Sequence, residues 1–409
     1  MRICTDTQNA INDRELVHLN CSRLQEIMQE SAVDAVFVIA PDNWRYVTGL
    51  PVHHCLYFAT VNAALLTREL AMPTIFALDF FCVGMKGRAP WFQDVVELPM
   101  AGTREALQPL GVGAWPDIIA KKINELQLSS ATIAVDPGTP YVIKDRLQER
   151  LPKARFLDAA QLLRQARLVK NKEEIKAMRN ACISAEIAME DAFRIIREGV
   201  TELEISAAVE SSFRIHGAEY PTFQPLIFSG LNPFLGYMNP SSRVIRYGDL
   251  VRLDIGCCCD GYNSCFARTV FVGEADRSLK DDYAAVHASL QAGIAATRPG
   301  VTNTSIYKVI ADTLSERSAG KYTLGWYGGH GLGTGIHEDP MIGATGSVDE
   351  VTLEPGMCIA IEPSAIIPDR GWLGLEDNVV VTAMGCEVLT RTRFSLYAQM
   401  SGTFAVSAG

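Results

Sequence analysis

The sequence predicts a two-domain chain: an N-terminal α/β domain, then a domain assembled from two related helix-helix-strand halves. Three observations carry this reading. Buried-type apolar runs alternate with helix-spaced segments up to about residue 165, the charge density then rises abruptly, and beyond it a glycine-centred motif recurs after 101 residues. The length of 409 residues suits two to three domains of roughly 150 residues each.

In the first domain Leu16, Leu19, Leu24, Ile27 and Met28 recur at helical spacing. Ala35-Val36-Phe37-Val38-Ile39, ending at Pro41, reads as a buried strand. Ala131-Thr132-Ile133-Ala134-Val135, ending at Asp136-Pro137-Gly138, reads as another. Strands alternating with helices imply a mostly parallel sheet. Arg164, Arg167, Lys170, Lys172, Glu173, Glu174 and Lys176 then crowd together, which reads as a solvated helix start or linker. The expected domains are therefore 1–165 and 166–409.

In the second domain Arg197-Glu198-Gly199-Val200-Thr201 returns as Arg298-Pro299-Gly300-Val301-Thr302. At the same offset Ile205 falls on Ile306, Val209 on Ile310 and Phe213 on Leu314, one apolar helix face in each copy. Downstream, Gly248 leads in six residues to Asp254, and Gly356 leads in six to Glu362. Alternate residues are aliphatic, Leu253 and Ile255 on either side of Asp254 and Ile359 and Ile361 before Glu362, so each acid lies on the opposite strand face from them. A duplicated unit brings Asp254 and Glu362 together across a pseudo-two-fold axis.

Composition narrows the function classes. Apolar residues make up 48% of the chain and charged residues 21%, enough for large cores. The net charge is −10 and no basic cluster appears, which argues against nucleic acid as a partner. No apolar run reaches the ~18 residues of a membrane span. Met1-Arg2-Ile3-Cys4-Thr5-Asp6 carries no signal-like run, so the expectation is a cytoplasmic chain whose eleven cysteines are reduced thiols. Cys257, Cys258 and Cys259 alternate faces of a strand and read as packing, not as one metal site.

Gly329-His330-Gly331-Leu332-Gly333 sets a histidine among glycines, with His337 and Glu338 following, and Glu376-Asp377 opens an apolar strand. With Asp254-Ile255-Gly256, Gly261-Tyr262, Arg268-Thr269, Leu353-Glu354-Pro355-Gly356-Met357 and Glu362-Pro363, this pattern resembles the pita-bread metallopeptidases. That group includes methionine aminopeptidase, prolidase, aminopeptidase P and creatinase. Asn43-Trp44-Arg45-Tyr46-Val47-Thr48-Gly49 is similar to the extra N-terminal domain of the prolidase and creatinase branch. The resemblance implies an α+β pita-bread catalytic domain after the α/β domain. It also implies a homodimer with shared active sites, in which the loop carrying His53 and His54 reaches toward the partner.

Two positions depart from the pattern. The metallopeptidases carry a second, metal-bridging Asp eleven residues after the first; here Cys265 stands there. They also carry a His seven residues after a Ser-Gly pair, where this chain has Tyr237 after Ser229-Gly230. A two-ion centre depends on shared oxygen ligands, so the expectation is no metal or at most one divalent ion. If one binds, His330, Glu362, Glu376 and Cys265 are its ligands, and a thiolate-imidazole-carboxylate set favours Zn²⁺. On this reading Cys265→Asp alone raises affinity for a second ion.

The main functional expectation is a hydrolase cleaving a C–N bond of a small polar nitrogenous compound: a guanidino acid, a cyclic amidine or a small amide. His330, Glu362 and Glu376 are the proton-handling residues, Asp254 anchors or attacks, and Tyr237 donates to the developing oxyanion. His337, Cys265, His53, His54 and Trp326 are the candidate substrate contacts, with Trp326 and Tyr327 as an aromatic wall. The alternatives are an Xaa-Pro dipeptidase with a one-metal site, a lyase acting on a compatible solute, and a non-catalytic binding protein.

Overall fold

The computed structural model describes residues 10–51, 62–99, 114–232 and 239–398. They fall into two compact units, residues 12–167 and the chain from Leu168 onward.

The first unit is built on a six-stranded sheet. Its order is Val95–Leu98, Thr74–Leu78, Ala63–Thr67, Ala35–Val38, Thr132–Val135, Arg155–Asp158. The three strands from Thr74–Leu78 to Ala35–Val38 are buried throughout. Val36, Val38, Ala64, Leu66, Ile75 and Ala77 enter one core, while Ala35, Phe37, Leu65, Phe76 and Leu78 enter the other. Burial on both faces explains why these strands read as continuous apolar runs. The sheet is mixed, with the Ala63–Thr67 strand antiparallel to both neighbours. Only a short turn joins it to Thr74–Leu78, and such a link permits no parallel crossover.

The helix Asp13–Glu30 starts where the Asn12 side chain accepts from Glu15 N at 3.1 Å, and lays Val17, Cys21, Leu24 and Met28 on one core. The Asn43-to-Thr48 segment is the buried part of the helix Pro41–Thr48, which ends at Gly49 with φ +64°.

The second unit carries the repeat. Helices Lys172–Ile195 and Glu202–Ile215 form one pair, Arg277–Ala296 and Asn303–Arg317 the other. Thr201 caps Glu202–Ile215 and bridges to Val244, as Thr302 caps Asn303–Arg317 and bridges to Thr352. Gly199 N donates to Ile245 O and Gly300 N to Leu353 O, the same bond in both copies. Gly248 and Gly356 turn with φ of +94° and +95°, a region where only glycine is unstrained. Ile205, Val209 and Phe213 pack with Val251, Leu253 and Ile255, and Ile306, Ile310 and Leu314 with Ile359 and Ile361.

One expectation fails here. Lys170, Glu173 and Glu174 are buried, not solvated. Glu174 closes a capping box with Asn171, and Lys170 Nζ donates to Glu338 at 3.2 Å with both side chains nearly inaccessible. Local charge density does not reveal that these charges have distant partners. Cys257, Cys258 and Cys259 form a buried strand, and none of the described cysteines is in a disulfide. Among the described residues no helix is long and apolar enough to cross a membrane.

Candidate active site

Asp254 lies on Leu250–Ile255, the centre of a three-stranded sheet between Phe266–Phe271 and Leu226–Ser229. In register it faces Ala267. His330 lies on Tyr327–Gly331, Glu362 follows Cys358–Ile361, and Glu376 precedes Asp377–Val381. These three strands are neighbours in a five-stranded sheet. The Glu376 amide donates to Ala267 O at 3.0 Å, carrying Glu376 to the partner position of Asp254.

The glycines around His330 let strands close on it. A Cβ on Gly329 would lie 2.1 Å from Ala360 O, and one on Gly331 would lie 2.1 Å from Asp339 O. A Cβ on Gly256 would lie 2.0 Å from Ser264 O, so the chain just after Asp254 passes directly under the approach to Cys265. Glu338, accepting from Gly335 N at 2.7 Å and from Lys170, braces the loop between His330 and His337.

The tertiary structure brings together Asp254, Cys265, His330, Glu362 and Glu376. His330 Nε2 is 3.7 Å from Glu362 Oε1 and 4.0 Å from Glu376 Oε1. Ligand atoms of Cys265, His330 and Glu376 lie within 4.8 Å of one another, all three residues being buried. His330 Nδ1 lies 2.9 Å from Gly331 O. A carbonyl only accepts, so Nδ1 carries the proton and Nε2 presents a lone pair to the acids.

Burial holds His330 below its usual pKa and therefore neutral, although backbone carbonyls and Asp254 pull the other way. Burial pushes Glu376 well above the ordinary carboxylate range, reinforced by the charges of Glu362 and Asp254. Burial also raises Glu362, opposed by a hydrogen bond from Tyr327, and raises Asp254, opposed first by Arg252. The Cys265 thiol is pushed well above its usual value by burial and by Glu376, Asp254 and Glu362. Arg252 supplies a positive charge at Asp254, but a further one is wanting among Glu362, Glu376 and Cys265.

Glu376 shows where that charge belongs. Its side chain is fully buried, and apart from the Cys265 thiol that faces it no donor reaches either carboxylate oxygen closely enough for a good hydrogen bond. A buried carboxylate without donors is costly unless it meets a cation. One ion therefore fits the Cys265-His330-Glu376 set, with Glu362 beside it. A second does not fit in the same way: Cys265 offers a single sulfur where the resemblance implies a shared carboxylate, and Asp254 Oδ2 already accepts from Arg252 Nη2 at 3.0 Å.

The other expected contacts divide. His337 sits at the mouth, its ring 4.4 Å from that of His330. Trp326 is 58% exposed, with its ring 5.4 Å from Tyr327. Tyr327 is the aromatic that faces the site, stacked on His330 at 6.3 Å and bonded to Glu362. Tyr237, His53 and His54 lie outside the described residues. The sequence reading passed over Arg252 and Asn378. Arg252 stands two residues before Asp254 on a strand, hence on the same face, and that spacing was signal enough.

A family model described as metallopeptidase family M24 matches residues 176–383, and one described as the creatinase/prolidase N-terminal domain matches residues 21–169. The chain is 32% identical to an Xaa-Pro dipeptidase of Pyrococcus furiosus over 374 residues, covering 91% of this chain and 98% of that one. Among solved structures, an Xaa-Pro dipeptidase from Bacillus anthracis superposes with a TM-score of 0.78 at 27% identity, covering 92% and 98% of the two chains. A prolidase from Pyrococcus horikoshii gives 0.75 at 27% identity, covering 92% and 99%. These findings overturn the expectation of a hydrolase for non-peptide nitrogenous compounds, because the similarity runs to dipeptidases along nearly the whole of both chains. The altered residues had suggested a change of substrate. The surrounding scaffold remains that of the peptidases.

Proposed function

Because this chain belongs to metallopeptidase family M24, with a creatinase/prolidase N-terminal domain ahead of its pita-bread domain, we propose that it hydrolyses the peptide bond of Xaa-Pro dipeptides from a one-ion site. The observation that carries this is the end-to-end similarity to the Pyrococcus furiosus Xaa-Pro dipeptidase. The buried acid-histidine cluster supports it, since a decayed site has no need to keep a fully buried carboxylate that only a thiol faces.

His330, Glu376 and Cys265 would hold the ion, with Glu362 at its side. When bound, a divalent ion supplies Lewis acidity toward the scissile carbonyl. The rest falls to the chain's own groups. Glu362 is the acid nearest the opening, its side chain 15% exposed against 0% for Glu376. Its raised pKa suits a group that takes a proton from water and returns it to the leaving proline nitrogen. Tyr327 holds Glu362 in place through its hydroxyl. Glu376, sealed from water, serves as a ligand, and neutral His330 keeps its Nε2 lone pair free for the same task.

The test is turnover of an Xaa-Pro dipeptide panel by protein supplied with Zn²⁺, Mn²⁺ or Co²⁺. Glu362→Gln is expected to lose at least ~100-fold in kcat with the fold intact. No turnover with any of the three ions, or a Gln variant as active as the wild type, overturns the reading.

A further inference from the structure

Arg252 is a buried cation inside the acid cluster, its side chain only 5% exposed. Its Nη2 binds Asp254, while Nε and Nη1 are buried without hydrogen-bond partners. The guanidinium lies 4.4 Å from the Trp372 ring centroid. Gly374, two residues on, clears the space: a Cβ there would lie 2.6 Å from Arg252 Cζ and 2.7 Å from Nη1. The charge also acts on Glu362 and Glu376. An ion pair made only for stability gains little over apolar residues of the same shape. It also explains neither the reach of the charge to Glu362 and Glu376 nor the two nitrogens left without partners.

We propose that the Arg252 guanidinium, seated on Gly374 and Trp372, takes the place of a second metal ion at Asp254. Asp254 is then the counter-ion of an arginine, and Arg252 is a positioning residue that fixes the site at one ion. This rests on the one-ion peptidase reading for its functional meaning, but its test needs no turnover. Two like charges a few ångströms apart in a buried site repel strongly, so a second dication and this guanidinium exclude each other. The consequence differs from what spacing alone implies: Cys265→Asp by itself is insufficient to create a second ion site.

Full-length protein is stripped with chelator and titrated with Co²⁺ and Mn²⁺, with bound metal counted by elemental analysis after desalting. Wild type is expected to hold one Co²⁺ per chain, with sulfur-to-cobalt charge-transfer absorption that disappears in Cys265→Asp. Cys265→Asp alone remains at one ion. Cys265→Asp with Arg252→Met rises to two, and so does Cys265→Asp with Gly374→Ala, which displaces the guanidinium without removing it. Cys265→Asp with Arg252→Lys, which keeps the charge, stays at one. The Gly374 arm covers the case in which the Arg252→Met protein does not fold. Two ions bound by Cys265→Asp alone, one ion in both displaced variants, or none in the wild type overturns the proposal. A protein that gives these stoichiometries yet cleaves no dipeptide overturns the substrate reading and leaves the Arg252 assignment standing.

Discussion

Asn378 binds both sides of the Cys265 peptide. Its Oδ1 accepts from Cys265 N at 3.0 Å, and its Nδ2 donates to Cys265 O. The two residues belong to different segments, Cys265 just ahead of the strand Phe266–Phe271 and Asn378 within Asp377–Val381 of another sheet. This paired contact, with the Glu376-to-Ala267 bond beside it, ties the two halves of the repeat at the point where the thiol faces Glu376.

Asn378→Ala leaves the Cys265 N–H and C=O buried without partners. Each such group costs roughly 1–3 kcal/mol, so the variant is expected to lose about 2–6 kcal/mol. Urea unfolding measures the loss. Cys265 in the folded variant is also expected to react faster with a thiol reagent, and an unchanged rate would count against the tether.

Arg268 and Asp377 form a second tie, with 2.7 Å between Nη2 and Oδ1 and both side chains buried. The guanidinium also donates to the carbonyls of Glu376 and Thr392. Removing one member of a buried pair strands a charge, so Asp377→Ala is expected to cost about 3–5 kcal/mol. Arg268→Met with Asp377→Leu is expected to cost less than the sum of the single changes. A double-mutant cycle on unfolding free energies checks this.

Glu174 predicts a pH dependence of stability. Burial raises its pKa from the ordinary 4.5 to about 7, against hydrogen bonds from Asn171 N and Tyr262 Oη. The folded state therefore holds this proton more tightly than the unfolded state. Between these two values the native form binds more protons, so this group's contribution to stability falls as pH rises through the window. The full cost, on the order of 3 kcal/mol, is reached above the folded pKa. Glu174→Gln keeps one acceptor and removes the titration. Its unfolding midpoint is expected to decline less than that of the wild type between pH 5 and 8. Parallel slopes for the two proteins would refute the assignment.

The sequence by itself determined the repeat, and with it the strand that bears Asp254 and the one that leads into Glu362. Helical and strand periodicities are local, and Gly248 and Gly356 mark equivalent turns because only glycine adopts that backbone without strain. Counting eleven residues from Asp254 also showed a cysteine, Cys265, where the family resemblance implies a carboxylate. The substrate class was misjudged from the same departures, because two altered residues weighed more than a scaffold whose likeness runs the length of the chain. Only the tertiary structure decided that Lys170 and Glu174 are buried with partners, that Asn378 grips Cys265, and that Arg252 rests on Gly374. Each of these joins segments far apart in the chain. A side chain's charge and spacing show which way it leans, but the cost of burying it depends on distant atoms that the local sequence does not contain.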